Sequence, residues 1–111
     1  MKELTENLDE LAKSTPILIL QFGEDTCGPC HAIRSKLDKW LETHDRVSAR
    51  YVDIEDHLAL CSQMGIFSAP TVIVYVEGQV AAKESGYFSL DAFLERIERY
   101  LDLLSLGGES I

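Results

Sequence analysis

The sequence is poor in several features, and each shortage excludes a class of protein. Its longest aliphatic run, Ile17–Leu20, has four residues, whereas a membrane-spanning helix needs about 20 apolar residues. Basic residues are also few: 10 Lys and Arg stand against 19 Asp and Glu, which gives a net charge of -9. A surface of that charge repels nucleic-acid phosphates and anionic membranes. We therefore expect neither a nucleic acid nor a membrane among its partners.

Cysteine is scarce as well. The three cysteines are too few, and odd in number, for the disulfide framework of a small secreted domain. The first residues, MKELTENLDELAKS, lack the apolar stretch of an export signal. A reducing, cytoplasmic location is therefore expected. In that setting a close cysteine pair is more often catalytic or metal-binding than structural.

The residues that are present suit one globular domain over 1–111. Hydrophobic residues make up 46% and charged residues 26%, the proportions of an ordinary soluble domain rather than of a disordered chain. The length permits a single hydrophobic core. No repeat, low-complexity tract or linker divides the sequence.

Hydrophobic patterning predicts helices that alternate with strands. Leu4, Leu8 and Leu11 have helical spacing before Pro16. The apolar run Ile17–Phe22 predicts a strand buried on both faces. Further elements are predicted in this order: a helix to about residue 43, a strand over Val47–Ile54, a helix capped by Asp56 and ended by Gly65, strands over Thr71–Val76 and Val80–Glu84 around the turn Glu77-Gly78, and a helix capped by Ser89 and ended by Gly107-Gly108. This order predicts an α/β fold, a small mixed sheet with helices on both faces.

Cys27 and Cys30 lie where the buried strand meets the following helix. Unpaired N–H groups and the macrodipole at a helix N-terminus favour the thiolate, the nucleophilic form of cysteine. A second thiol three residues on can attack the mixed disulfide intramolecularly. We assign the attacking role to Cys27 at the helix mouth and the resolving role to Cys30 in the first turn. Glu24 and Asp25 are expected in a solvated loop; near Cys27, their charges would oppose thiolate formation and partly offset the dipole.

These features resemble the thioredoxin family. The motif Cys27-Gly28-Pro29-Cys30 follows a buried strand, Ala69-Pro70-Thr71 comes about forty residues later, and glycines stand at Gly78 and Gly86. The order of elements is similar from residue 5 to about 104. The resemblance implies a thioredoxin fold and reduction of protein disulfides by dithiol–disulfide exchange. It implies no bound cofactor and electrons from a thioredoxin-reductase-like donor.

The resemblance also implies which residues surround the cysteine pair. Gly28, Pro29 and Pro70 support the pair, and the Ala69–Pro70 bond is expected to be cis, with Pro70 facing the cysteines. An extended substrate segment is expected to lie against an apolar rim and its neighbours, namely Thr26, Ile66, Phe67, Ala69, Gly86 and Tyr87.

The sequence departs from the family pattern at several positions. Thr26 replaces the usual Trp before the first cysteine, and Ser35 replaces the proline that kinks the second helix. Gln21 stands where a buried Asp usually lies beneath the second cysteine, and Tyr51 replaces the lysine often paired with that Asp. An amide cannot take up a proton, so the usual acceptor of the Cys30 proton is missing. The family's first edge strand is also missing from the pattern, which predicts four strands.

Other interpretations of these cysteines stay open. Inert core cysteines would leave the Gly-Pro pair at the strand–helix junction unexplained. Cys27–His31 spells the C-x-x-C-H pattern of haem attachment, and Cys61 or His31 could join the pair in a zinc or iron–sulfur site, although such sites usually need four ligands. Cys61 itself lies on an apolar helix face, as a small buried hydrophobe does. The competing function is a thioredoxin-fold docking or redox-sensing module with little turnover. We expect a monomer.

Overall fold

A computed structural model describes the backbone of residues 1–109 and the side chains of residues 1–105. Its elements are β1 (Lys2–Glu3), α1 (Leu8–Ser14), β2 (Ile17–Gly23), α2 (Gly28–Leu41), β3 (Val47–Asp53), a 3₁₀ turn (Glu55–His57), α3 (Leu58–Met64), β4 (Thr71–Val76), β5 (Gln79–Ser85) and α4 (Leu90–Glu109). The strands form one sheet in the order β1-β3-β2-β4-β5. β1, β3 and β2 are parallel, whereas β4 is antiparallel to both β2 and β5. The predicted α/β fold with a mixed sheet is confirmed.

The prediction of four strands was wrong, because the described chain has a fifth at the sheet edge. Glu3 of β1 is in register with Tyr51 of β3, and the Leu4 N–H donates to the Tyr51 carbonyl oxygen at 2.9 Å. Leu4 therefore lies outside the first helix, which begins at Leu8 after the N-cap Asn7. A strand of two residues is too short to produce an alternating sequence pattern.

β2 is the centre of the fold, as its apolar run predicts, and all of its residues are buried. Ile17 and Ile19 pack with α2 and α4 on one face of the sheet. Leu18 and Leu20 pack with α1 and α3 on the other. Because side chains alternate along a strand, Gln21 shares the face that α2 covers.

The predicted helix ends were only partly correct. Gly65 adopts a φ of 71° and ends α3 as expected. Asp56 does not cap that helix; a 3₁₀ turn precedes it, and the N–H of Glu55 donates to Asp53 Oδ1 at 2.9 Å. The pair Gly107-Gly108 does not end α4. Glycine disfavours a helix interior by only about 1 kcal/mol per residue, which an established helix can tolerate.

Tyr51 lies between α2 and the end of β2. It is in register with Gln21, and its ring lies under the Arg34 guanidinium, 4.1 Å from carbon to ring centroid. Its hydroxyl lies so close to Gly23 that a Cβ added there would collide with it. Gly23 is therefore required by the close approach of a neighbouring side chain.

We expect Gly23→Ala to lower the free energy of unfolding by about 1–3 kcal/mol, the usual cost of overpacking a core. Urea melts should show a lower midpoint than wild type. Gly28→Ala is the matched control, because an added Cβ there meets nothing within 4 Å. Tyr51→Phe in the Gly23→Ala background removes the colliding hydroxyl and should recover part of the loss. An unchanged midpoint for Gly23→Ala would contradict this account.

Candidate active site

Cys27 and Cys30 form a disulfide across the first turn of α2. Cys27 is the half-buried N-cap of that helix, whereas Cys30 is only 1% exposed. The Cys30 N–H donates to Cys27 Sγ at 3.2 Å. A backbone N–H at a helix start stabilises negative charge on the sulfur it contacts. On reduction, the arrangement offers one accessible sulfur and a second sulfur shielded behind it.

A pocket of about 350 Å³ opens beside Cys27. Its lining residues are Glu24, Thr26, Cys27, Gly28, Pro29, Ala69, Pro70, Gly86 and Tyr87. The Ala69–Pro70 bond is cis, as the resemblance implies. The structure thus gathers most of the candidate site residues around one opening. Glu24, which the sequence indicated only through its charge, also lines this pocket.

The remaining candidates of the apolar rim separate into two groups. Phe67 is 80% exposed, and Tyr87 at the pocket is fully exposed. Both rings are open to a partner. Ile66, in contrast, is 2% exposed and packs with Cys61 in the core beneath the sheet. In this structure Ile66 therefore supports the fold and offers no surface to a substrate.

Gln21 lies fully buried beneath the first turn of α2. Its Nε2 donates to the carbonyl oxygen of Cys30 at 2.7 Å. Its Oε1 is buried and has no hydrogen-bond partner among the described residues. The amide therefore holds the backbone of the second cysteine and leaves one buried acceptor unused.

A tight turn over residues 24–27 joins β2 to the cysteine pair. The Cys27 N–H donates to the Glu24 carbonyl oxygen at 3.1 Å. His31 Nε2 lies 2.9 Å from the Asp25 carbonyl oxygen. Because a carbonyl can only accept, that ring nitrogen carries hydrogen. His31 is exposed, and its contact with the Asp25 carbonyl braces the turn.

Cys61 is separate from this site. Its side chain is 2% exposed, and burial, with a smaller contribution from Asp53, raises the pKa of its thiol. A protonated buried thiol is a poor nucleophile, so Cys61 has the packing role that its helix face predicts.

Among the described residues, no group of three or more His, Cys, Asp or Glu side chains is placed to hold a metal ion. No helix within the described residues is long and apolar enough to cross a membrane.

Comparison with known proteins identifies the family. The thioredoxin family model matches residues 2–99. The chain belongs to the thioredoxin family. Mouse mitochondrial thioredoxin is 30% identical over 93 residues, which cover 80% of this chain and 56% of the mouse protein. Bacillus subtilis thioredoxin is 25% identical over 89 residues, covering 79% and 86% of the two chains. A structure of Plasmodium falciparum thioredoxin superposes with a TM-score of 0.78 at 24% identity, over 90% of this chain and 99% of that one. The chain spans about half the length of the mammalian mitochondrial relatives.

This thioredoxin-family site has unusual residues beneath the second cysteine. Gln21 is beside Tyr51 in the sheet, and burial followed by the charge of Asp53 raises the pKa of the Tyr51 phenol. An amide and a protonated phenol therefore stand where the family usually has a carboxylate and an ammonium. Ser35, in place of the kinking proline, lies within a helix that runs unbroken for 14 residues.

Proposed function

We propose that this chain is a thiol–disulfide oxidoreductase that reduces protein disulfides. The observation that carries the proposal is the Cys27–Cys30 disulfide at the start of α2, with one sulfur at a pocket and the other buried. An inert structural disulfide needs no adjoining pocket, and a metal site needs more ligands than this pair supplies.

The reaction has two exchanges. The Cys27 thiolate attacks a substrate disulfide, so that one substrate sulfur becomes bonded to Cys27 and the other leaves as a thiolate. Cys30, deprotonated in its turn, attacks the Cys27 sulfur, forms the Cys27–Cys30 bond and releases the second substrate thiolate. Two electrons pass from the protein dithiol to the substrate, and the two protons lost by the protein are taken up by the substrate thiolates. A dithiol donor of the thioredoxin-reductase class then restores the reduced pair, and no bound cofactor is required.

The residues around the pocket suit a substrate segment that binds in an extended form. Ala69 and Pro70 line the pocket together with Gly28 and Pro29. The exposed ring of Tyr87 offers apolar contact there, and Phe67, three residues before Pro70, is exposed as well. Exposed aromatic rings at such a site provide apolar contact for an extended peptide segment of a substrate. In this proposal the chain acts as one monomeric domain over residues 1–111. The scarcity of cysteine supports a reducing, cytoplasmic setting.

Reduction of insulin disulfides tests the function most directly. With dithiothreitol as the electron source, catalytic amounts of the protein should precipitate the insulin B chain well before dithiothreitol alone does. Cys27→Ser should abolish the acceleration, and Cys61→Ser should preserve it. A folded wild-type protein that gives no acceleration would contradict the proposal and favour a docking or redox-sensing module.

A further inference from the structure

We propose that the pocket beside Cys27 selects disulfides in which the attacked cysteine has Arg or Lys as a chain neighbour, with Glu24 making the selection. This inference rests on the proposed function and names its substrate class.

Glu24 is the single charged residue of the pocket, since the other lining residues are neutral. Among the described residues, its carboxylate takes part in none of the ion pairs of the fold, which join Met1 to Asp38, Lys2 to Glu6, His44 to Glu98, and Arg50 to Glu6. Glu24 is also half-buried, so its charge is less screened by water than a fully exposed one. The pocket therefore holds an uncompensated negative charge that a cation can match.

The backbone fixes the main chain of Glu24 relative to the reactive sulfur, and the side chain lines the pocket from there. The turn from Glu24 to Cys27 is closed by the 3.1 Å hydrogen bond between their main-chain atoms. The 2.9 Å contact from His31 to the Asp25 carbonyl braces it from α2. A side chain adjacent to a substrate cysteine at Cys27 is consequently brought to the pocket that contains the carboxylate.

Tyr87 supplies a second feature that suits a cation. It lines the same pocket as Glu24, and its fully exposed ring has a free face. A guanidinium or ammonium group binds both to a carboxylate and to the face of an aromatic ring. The neighbouring Asp25 is exposed and adds negative charge on the outer side of the turn. An acidic substrate segment would meet repulsion from both carboxylates.

The selection also fits the chemistry of the first exchange. A carboxylate near Cys27 disfavours the thiolate that must attack. A substrate cation placed between them offsets this repulsion as attack begins, so it stabilises the reacting complex more than the free protein. A neutral substrate leaves the repulsion in place. The preference is therefore expected in the rate of attack by Cys27.

The test is an internal competition within one disulfide. Two short peptides are joined to each other by a disulfide and differ in one residue next to the cysteine, which is Arg in one peptide and citrulline in the other. In one set of peptides this residue precedes the cysteine, and in a second set it follows the cysteine. Cys30→Ser protein attacks this disulfide, and mass spectrometry counts which peptide becomes bonded to Cys27. Attack by a small neutral thiol, 2-mercaptoethanol, gives the intrinsic ratio of attack on the two sulfurs. Dividing by this ratio corrects for the Arg peptide being the better leaving group, since Arg stabilises its thiolate. Because both halves meet the same Cys27, variant effects on its thiolate content cancel.

After this correction, the Arg peptide should be captured about threefold more often than the citrulline peptide, the size expected for a partly exposed ion pair. Glu24→Gln in the Cys30→Ser background should bring the ratio most of the way to one, because only the weaker contributions of Tyr87 and Asp25 remain, and high salt should also lower it. The control is Glu77→Gln, which removes the same charge at the β4–β5 turn, at the opposite end of β4 from Pro70; it should keep the preference. Equal capture of the two peptides in both sets would overturn the selection and leave the proposed function intact. Capture of neither peptide would overturn the proposed function as well.

Discussion

Replacing Cys30 with serine should trap the protein on its substrates as mixed disulfides. Cys30 is buried directly behind Cys27, with its N–H on the Cys27 sulfur at 3.2 Å, so its thiol is placed for intramolecular attack. Well-placed groups reach effective concentrations on the order of 10⁵ M or more, which no thiol in solution can match. We therefore expect turnover with insulin to fall by about 10³-fold or more, while the first exchange still proceeds.

Non-reducing gels of lysate treated with Cys30→Ser should show adducts that disappear with dithiothreitol. The double variant Cys27→Ser/Cys30→Ser is the control and should form none. Cys61→Ser should behave like wild type, because that thiol is buried and its raised pKa keeps it protonated. A folded Cys30→Ser protein whose Cys27 reacts with iodoacetamide but forms no adducts would favour a docking or sensing role.

The parts of the fold that were predictable from sequence are those fixed by local patterns. The apolar run Ile17–Phe22 of β2 stands between a proline and a glycine, so its burial on both faces could be inferred directly. β4 is rich in β-branched residues, and its predicted bounds, Thr71–Val76, are those observed. The cysteine motif at a strand–helix junction indicated the position of the site, because both neighbouring elements had clear signals.

The features that could not be predicted depend on contacts between distant residues or on single hydrogen bonds. β1 exists because Glu3 pairs with Tyr51 across the sheet, which no pattern in two residues can reveal. The role of Gly23 follows from the Tyr51 hydroxyl above it. Likewise, the charge of Glu24 was recognised, but its entry into the pocket depends on a turn closed by one backbone bond. Such geometry leaves no periodicity in the sequence.

Exchanging Gln21 for a carboxylate should speed the second exchange. The structure places this side chain against Cys30, with Nε2 on its carbonyl at 2.7 Å and Oε1 unused. In Gln21→Glu, the ionised side chain can accept the Cys30 proton, a step that an amide cannot perform. We expect resolution of the mixed disulfide at pH 7–8 to accelerate by roughly 10²-fold, the lower end of the range for positioned acid–base groups.

The same substitution should destabilise the protein in a pH-dependent way. The site is fully buried, and only a protonated carboxyl can replace the hydrogen bond to the Cys30 carbonyl, so both effects raise the pKa of the introduced group in the folded state. Its unfolded pKa stays near 4.3. The cost relative to wild type should therefore be small below about pH 4.3. It should grow as the pH rises through the folded pKa, to a few kcal/mol at most.

Rates of resolution across pH 6–9 and urea melts across pH 4–9 measure both consequences in one set of proteins. Gln21→Met is the matched control, because it also removes the hydrogen bond to the Cys30 carbonyl but supplies no base. If a looser site alone speeds the reaction, Gln21→Met and Gln21→Glu will accelerate alike. If proton transfer is the cause, only Gln21→Glu will accelerate the reaction. Its rate advantage over wild type will then narrow at high pH, where the Cys30 thiol ionises without a base. Unchanged or slower resolution in a well-folded Gln21→Glu protein would mean that this position takes no part in the proton transfer of Cys30.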